Sequence, residues 1–199
     1  MEDKNIGIIN YGGGNISSLR SALDRAGISH DLTDTVSPGD GFERYIIPGV
    51  GHAGKCMEDL RATGMIEPLV DTKKPVLGIC VGMQLLTSHS EEGNSAMMDK
   101  MPLKTIKFDP DPLFKVPHMG WNNVYHEKDQ LFNGIENGAH FYFVHSFFVE
   151  PIHDLTIGVA THGKTFSAAI RADNFYGVQF HPERSGAAGE RLLINFSKI

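Results

Sequence analysis

The sequence predicts an α/β fold, three layers deep, with a mostly parallel central sheet and a β-rich second half. Two observations carry that expectation. Up to about residue 100, an apolar run, a glycine-rich turn and an amphipathic segment recur in that order, which is the pattern of βα units. Beyond it the texture changes to short β-rich stretches separated by Gly, Asp, Asn and Pro. A chain of 199 residues fits one domain over 1–199 and can bury a core without metals or disulfides.

The elements follow in chain order. "NIGIIN" (5–10) is a short apolar strand closed by "YGGG", and "NISSLRSALDRAG" then places Ile16, Leu19, Leu23 and Ala26 on one helical face with Gly27 as the stop. "RYIIPGVG" leading into "HAGKCMEDLRAT" repeats the unit, as does "KPVLGIC" leading into "VGMQLLTSHS". Ligands of a parallel sheet gather at the carboxyl ends of its strands, here Asn10 to Gly14, Pro48 to Gly51, and Cys80. "KTIKF", "NNVYH", "AHFYFVHSFFV", "LTIGVAT", "FSAAI" and "YGVQF" read as strands of a mixed or antiparallel extension. "AAGERLLINFSKI" closes the chain as an amphipathic helix whose buried face is Leu192, Leu193 and Phe196.

Composition removes several classes of function. The net charge of -6 leaves no Lys/Arg excess for displacing phosphate counterions, so no nucleic-acid partner is expected. No apolar window nears the length that spans a bilayer, and "MEDKNIGIINYGGGN" lacks the basic and apolar pattern of a secretory leader. No membrane association and a cytoplasmic location are therefore expected. The two cysteines, Cys56 and Cys80, form no disulfide framework, and Cys56, beside Glu58 and Asp59, reads as incidental. Neither His-Glu-x-x-His nor a paired-cysteine spacing occurs, so no metal and no cofactor are expected.

Chemistry concentrates at Gly78-Ile79-Cys80-Val81-Gly82, a G-x-C-x-G form of the nucleophile elbow. A sharp turn between strand and helix exposes the central side chain, the helix start favours a thiolate, and the Val81 N–H can donate to an oxyanion. The pentapeptide alone also accommodates a small buried thiol. A cysteine nucleophile needs a base, and "YGVQFHPERSG" offers His181 at a strand end with Glu183 two residues on, able to accept the other ring N–H. Cys80, His181 and Glu183 then stand as nucleophile, base and orienting acid. "IIPGVGHAG" supplies Gly49 and Gly51, whose backbone could aim a second N–H at the oxyanion. A dinucleotide fingerprint at "NYGGGNISS", with Asp31 or Asp34 as the ribose acid, is weakened by Ser17 at its third glycine.

Gly-x-Cys-x-Gly with a late His-Pro-Glu resembles the class I glutamine amidotransferases, across nearly the whole chain. Within that class "YGGGNISSL", "IPGVGHAGKCMEDL", "GICVGMQLL", "PHMGWN", "YFVHSF" and "GVQFHPERS" are similar, in this order, to the glutaminase subunits of imidazole glycerol phosphate synthases. The resemblance implies a flavodoxin-like class I fold in which Cys80 attacks the side-chain amide of glutamine. Ammonia leaves, and a thioester remains for hydrolysis with His181 as general acid and base. It further implies oxyanion donors at Gly51 and Val81, and glutamine contacts at Gln84, Ser146 and Phe147. The resemblance implies as well that ammonia passes to a cyclase subunit of TIM-barrel fold for histidine biosynthesis, with Asn15, Trp121 and Arg184 near that interface.

Three departures stand against it. The stretch 91–112 lacks a Gly-Leu-Gly-type run, Arg184 replaces a common lysine, and Phe147 a common tyrosine. Two alternatives stay open at this point: a glutaminase feeding a sugar-aminating synthase, and a non-catalytic interaction subunit. An α/β-hydrolase would place its acid before the histidine, the reverse of the order here.

Overall fold

A computed structural model describes residues 6–199. Asn5, the first residue of the expected first strand, lies outside the described residues, as does the rest of the segment 1–5 at the head of the stretch that lacks a leader pattern.

The first half alternates β1 (Ile6–Ile9), α1 (Ile16–Arg25), β2 (His30–Thr33), β3 (Arg44–Ile47), α2 (Ala53–Ala62), α3 (Ile66–Asp71), β4 (Val76–Ile79) and α4 (Val81–Leu85). The second half runs β5 (His89–Ser90), β6 (Ser95–Ala96), β7 (Lys104–Lys107), β8 (His118–His126), β9 (Ala139–His145), β10 (Phe147–Val149), β11 (Thr156–His162), β12 (Lys164–Ala172) and β13 (Phe175–Val178) before α5 (Gly186–Phe196). Among the described residues, nine strands form one sheet in the order β2-β1-β3-β4-β13-β12-β11-β8-β9. From β2 to β13 neighbours are parallel, and from β13 to β9 they are antiparallel. The central sheet is thus half parallel rather than mostly so, because the β-rich segments extend it by hairpins instead of forming a separate layer. A smaller sheet, β10-β7-β5-β6, stands beside it.

Burial explains the strands that are legible. β1, β4 and β13 are buried at every position, as expected for parallel strands covered on both faces. β2, with His30 and Asp31, sits at the sheet edge and carries no apolar run. On α1, Leu19, Ala22 and Leu23 form the buried stripe, and each fully buried leucine contributes about 2 kcal/mol. Ile16 and Ala26, expected on that face, are only partly covered, since they occupy its two ends. On α5, Leu192, Leu193 and Phe196 are buried as the periodicity predicts.

The parallel strand β13 sets up the site. It pairs with β4 in register Val178↔Ile79, and the Cys80 N–H donates to the Val178 carbonyl at 2.8 Å. Two strands distant in sequence therefore end side by side, and the residues after each emerge at the same carboxyl edge. None of the described helices is long and apolar enough to cross a membrane.

Candidate active site

The elbow holds Cys80 in a conformation that a non-glycine residue rarely adopts, with φ 54° and ψ -109°. Close packing enforces it: a Cβ on Gly82 would lie 1.9 Å from the Ile47 carbonyl oxygen, so no larger residue fits where α4 begins. α4 is only Val81–Leu85, and its dipole therefore contributes less to the sulfur than the expected longer helix would.

His181 follows β13. Its N–H donates to the Tyr142 carbonyl at 2.9 Å, while the Ser185 hydroxyl donates to the His181 carbonyl at 2.7 Å and accepts the Tyr142 N–H at 3.0 Å. β9 thus clamps the loop. His181 Nδ1 donates to Glu183 Oε1 at 2.8 Å, with both side chains buried, which leaves Nε2 as the basic atom. That Nε2 is buried without a hydrogen-bond partner among the described residues. Burial alone would lower the imidazole pKa, but Cys80 and then Glu183 outweigh it and raise it well above its ordinary value. The arrangement favours an imidazolium beside the sulfur.

A cavity of about 310 Å³ opens over the sulfur. Val50, Gly51, Cys80, Val81, Gln84, Ser146, Phe147 and His181 all line it, so every nucleophile, base, oxyanion and substrate residue expected there converges, with Glu183 behind His181. Glu92, Pro117, Val144 and His145 line it too. None of these four was expected as a site residue, although Pro117 lies in "PHMGWN" and Val144 and His145 in "YFVHSF". Glu92 Oε2 accepts the Ala53 N–H at 2.6 Å, fastening its loop to the start of α2. Gln84 is more constrained than expected: its Nε2 donates to both the Phe147 carbonyl at 3.2 Å and Gln179 Oε1 at 3.0 Å. Only its Oε1 is left to contact a ligand.

The oxyanion side differs from expectation. The Val81 N–H donates to the Gly49 carbonyl at 3.4 Å and so is not directed into the cavity. The flanking carbonyls are also held, Pro48 by the Tyr11 hydroxyl at 2.6 Å and Val50 by the Cys56 thiol at 3.5 Å. Cys56 is therefore buried beneath this loop, contrary to its reading as incidental. Ala53, Cys56, Met57 and Leu60 share one buried face of α2, and that spacing was the signal that could have found it. Gly51, at φ +91°, gives the loop a turn that larger residues resist.

Two of the three expected interface residues share a neighbour. Asn15 accepts the Ser18 N–H at the start of α1 and lines a small pocket with His181 and Glu183. Exposed Trp121 and Arg184 both pack on Tyr142, at 6.1 Å and 4.8 Å from its ring centre. Met119 and Tyr125 extend the exposed apolar face of β8.

Known proteins resemble the chain along nearly its whole length. The family described as glutamine amidotransferase class-I matches residues 8–199. An imidazole glycerol phosphate synthase subunit HisH from Pasteurella multocida is 46% identical over 194 residues, covering 97% of each chain. One from Salmonella typhimurium is 42% identical over 196 residues, covering 98% of this chain and 100% of its own. Among solved structures, a glutamine amidotransferase superposes with a TM-score of 0.74 at 15% identity, covering 98% of this chain and 99% of that one. PurLQS from Thermotoga maritima gives 0.71 at 17% identity, covering 98% and 97%.

Proposed function

Because the chain belongs to the class I glutamine amidotransferases, we propose that Cys80, His181 and Glu183 are the residues with which it hydrolyses glutamine. It works as the glutaminase subunit of an imidazole glycerol phosphate synthase, releasing glutamate and ammonia for histidine biosynthesis, and it has a partner subunit. The observation that carries the residue assignment is the meeting of Cys80 and the His181–Glu183 pair at one cavity.

The Cys80 sulfur attacks the side-chain amide carbon, and the oxygen of that carbonyl becomes an oxyanion. His181 gives its Nε2 proton to the leaving nitrogen, so that ammonia departs and a thioester remains. Water then attacks, with His181 taking its proton, and glutamate leaves as the sulfur is regenerated. Gln84 Oε1, Glu92 and the Ser146–Phe147 segment hold the amino-acid end of the substrate, the carboxylate of Glu92 suiting its ammonium.

Control lies in the Gly49–Gly51 loop. While Gly49 accepts the Val81 N–H, the oxyanion lacks that donor, and one such donor is worth about 10²-fold in rate. Docking of the partner turns the loop, frees Val81 and brings the Gly51 N–H to bear. Such coupling has a chemical reason: ammonia released into water is protonated and ceases to be a nucleophile. The partner is a cyclase of TIM-barrel fold that seats on Trp121, Arg184 and Asn15, a reading supported by the exposed apolar face of β8.

The test is glutamine hydrolysis by the chain alone, then with the cyclase subunit, then with the cyclase and its nucleotide ligand. Low activity alone, a rise on addition and imidazole glycerol phosphate as product are expected. Equal rates in all three mixtures would sink the loop mechanism, and hydrolysis without that product would sink the choice of partner.

A further inference from the structure

Two arms of hydrogen bonds meet behind the cavity at one carbonyl. The Phe147 carbonyl can only accept, and it takes two donors, His145 Nδ1–H at 2.8 Å and Gln84 Nε2 at 3.2 Å. Gln84 gives its second hydrogen to Gln179 Oε1 at 3.0 Å. The other end of that amide is therefore nitrogen, and Gln179 Nε2 donates to the Cys80 sulfur at 3.6 Å. In the other direction, His145 carries its hydrogen on Nδ1, so Nε2 accepts from His118 Nδ1 at 2.9 Å. His118 Nε2 then accepts from Asn122 Nδ2 at 3.2 Å.

Asn122 cannot reverse, because Nδ2 also donates to the Thr161 carbonyl at 2.9 Å and its oxygen accepts the Asn123 N–H at 2.8 Å. Asn122 thus fixes the histidine arm, and the Phe147 carbonyl by itself fixes the Gln84–Gln179 arm. Burial, followed by neighbouring imidazoles, keeps His118 and His145 neutral, as this pattern requires. His118 is further fixed between the rings of His162 and Phe143, at centroid distances of 4.2 and 4.9 Å. Gln179 itself is fully buried.

Resting on the reading of Cys80 as nucleophile, we propose that Gln179 is a further catalytic residue, whose amide N–H stabilises the Cys80 sulfur as an anion. Gln84, itself held by the Phe147 carbonyl, is the positioning residue that prevents this amide from turning its oxygen toward the sulfur. A reversed amide would set lone pairs against a thiolate and forfeit the hydrogen bond from Gln84. The donor acts twice in each turnover, when the thiolate attacks and when it leaves the thioester.

The experiment uses the assembled synthase. Gln179→Glu keeps the shape and removes the donor, and Gln179→Met serves if a buried carboxylate prevents folding. Each variant is measured for kcat and KM on glutamine, for alkylation of Cys80 by iodoacetamide at neutral pH, and for its thermal midpoint. Loss of a hydrogen bond to a charged group predicts a fall of about 10-fold or more in both kcat and alkylation. KM should stay within about threefold of the parent, since the ground-state pocket is intact. Gln84→Met, which removes the donor to Gln179 Oε1, should lower alkylation by a smaller factor, a readout that needs no glutamine contact. Parent-like kcat and alkylation in Gln179→Met would overturn the proposal, as would a rise in KM alone. Cys80→Ala, measured alongside, keeps the two readings apart: glutamine hydrolysis surviving there refutes the nucleophile itself, whatever Gln179 does.

Discussion

On one side of the Cys80 sulfur stands an imidazole already backed by a buried carboxylate; on the other, the Val81 N–H is committed to the Gly49 carbonyl. The first side rests on strand register, since β13 and β4 are paired throughout and β9 clamps the following loop. The second rests on a short turn whose carbonyls are held one by one, by Tyr11, Val81 and Cys56. Sheet pairing is cooperative and does not yield to a docking protein, whereas three separate hydrogen bonds can be exchanged for others. Regulation therefore belongs on the loop, and the nucleophile and its base can stay assembled at all times.

The largest effect tests the assembled side. Cys80→Ala should lower glutamine-dependent product formation by about 10⁴-fold or more while ammonium-dependent formation persists, because the partner's chemistry does not need the sulfur. Retained glutamine use would break the comparison at its root. Glu183→Gln comes next: it keeps the shape but takes away the charge opposite Nδ1, and kcat of the assembled synthase should fall about 10²-fold or more with little change in KM. A change confined to KM would mean that Glu183 shapes the pocket and does not support the base.

The loop side predicts a change of opposite sign. Tyr11→Phe and Cys56→Ala each remove one of the bonds that hold the resting turn, so glutamine hydrolysis by the isolated chain should rise, by about 3- to 10-fold, which is what a bond of about 1 kcal/mol can shift. Activity with the partner bound should change little. If both variants leave the isolated rate unchanged or lower it, the loop is not held by these contacts.

The same contrast governs what the sequence discloses. The elbow and His-Pro-Glu are local patterns with a mechanical reason, and the apolar runs of β1, β3 and β4 mark the strands that deliver them. β2, β5, β6 and α3 escaped because they are short or polar, with their burial supplied by neighbours. "YGVQF" was legible as a strand, yet nothing local shows that Gln179 reaches Cys80, 99 residues away. His118, His145 and His162 come from three strands, β8, β9 and β11, and become a cluster only through pairing. Likewise the engaged state of Val81 is a matter of one peptide's direction, which residue types do not specify.

The smallest expected effect concerns stability and separates the imidazoles by sign. Burial lowers His118 from its ordinary 6.5 to about 4 and His145 to about 3, so over that range the unfolded chain binds protons that the folded chain does not. Their contribution is whole above pH 6.5 and declines as pH falls toward 4. His181, raised by Cys80 and Glu183 against its burial, behaves oppositely, its contribution being whole below 6.5 and lost as pH rises through its folded value. Carboxylates titrate mainly below about pH 4.5 and leave the upper part of the acid window to the histidines. Thermal midpoints recorded from pH 7 down to about 4.5 should therefore fall less steeply in His145→Gln than in the parent, by about 5 °C or more over the window. The fall just above neutrality belongs to His181 and should be unchanged, whereas the buried hydroxyls of Tyr11 and Tyr45, raised by burial, add their loss only at higher pH. Identical acid limbs would mean that the His118–His145 pair is not held neutral, and a variant that altered only the fall just above neutrality would place its coupling at the triad, merging the two regions that the geometry keeps apart.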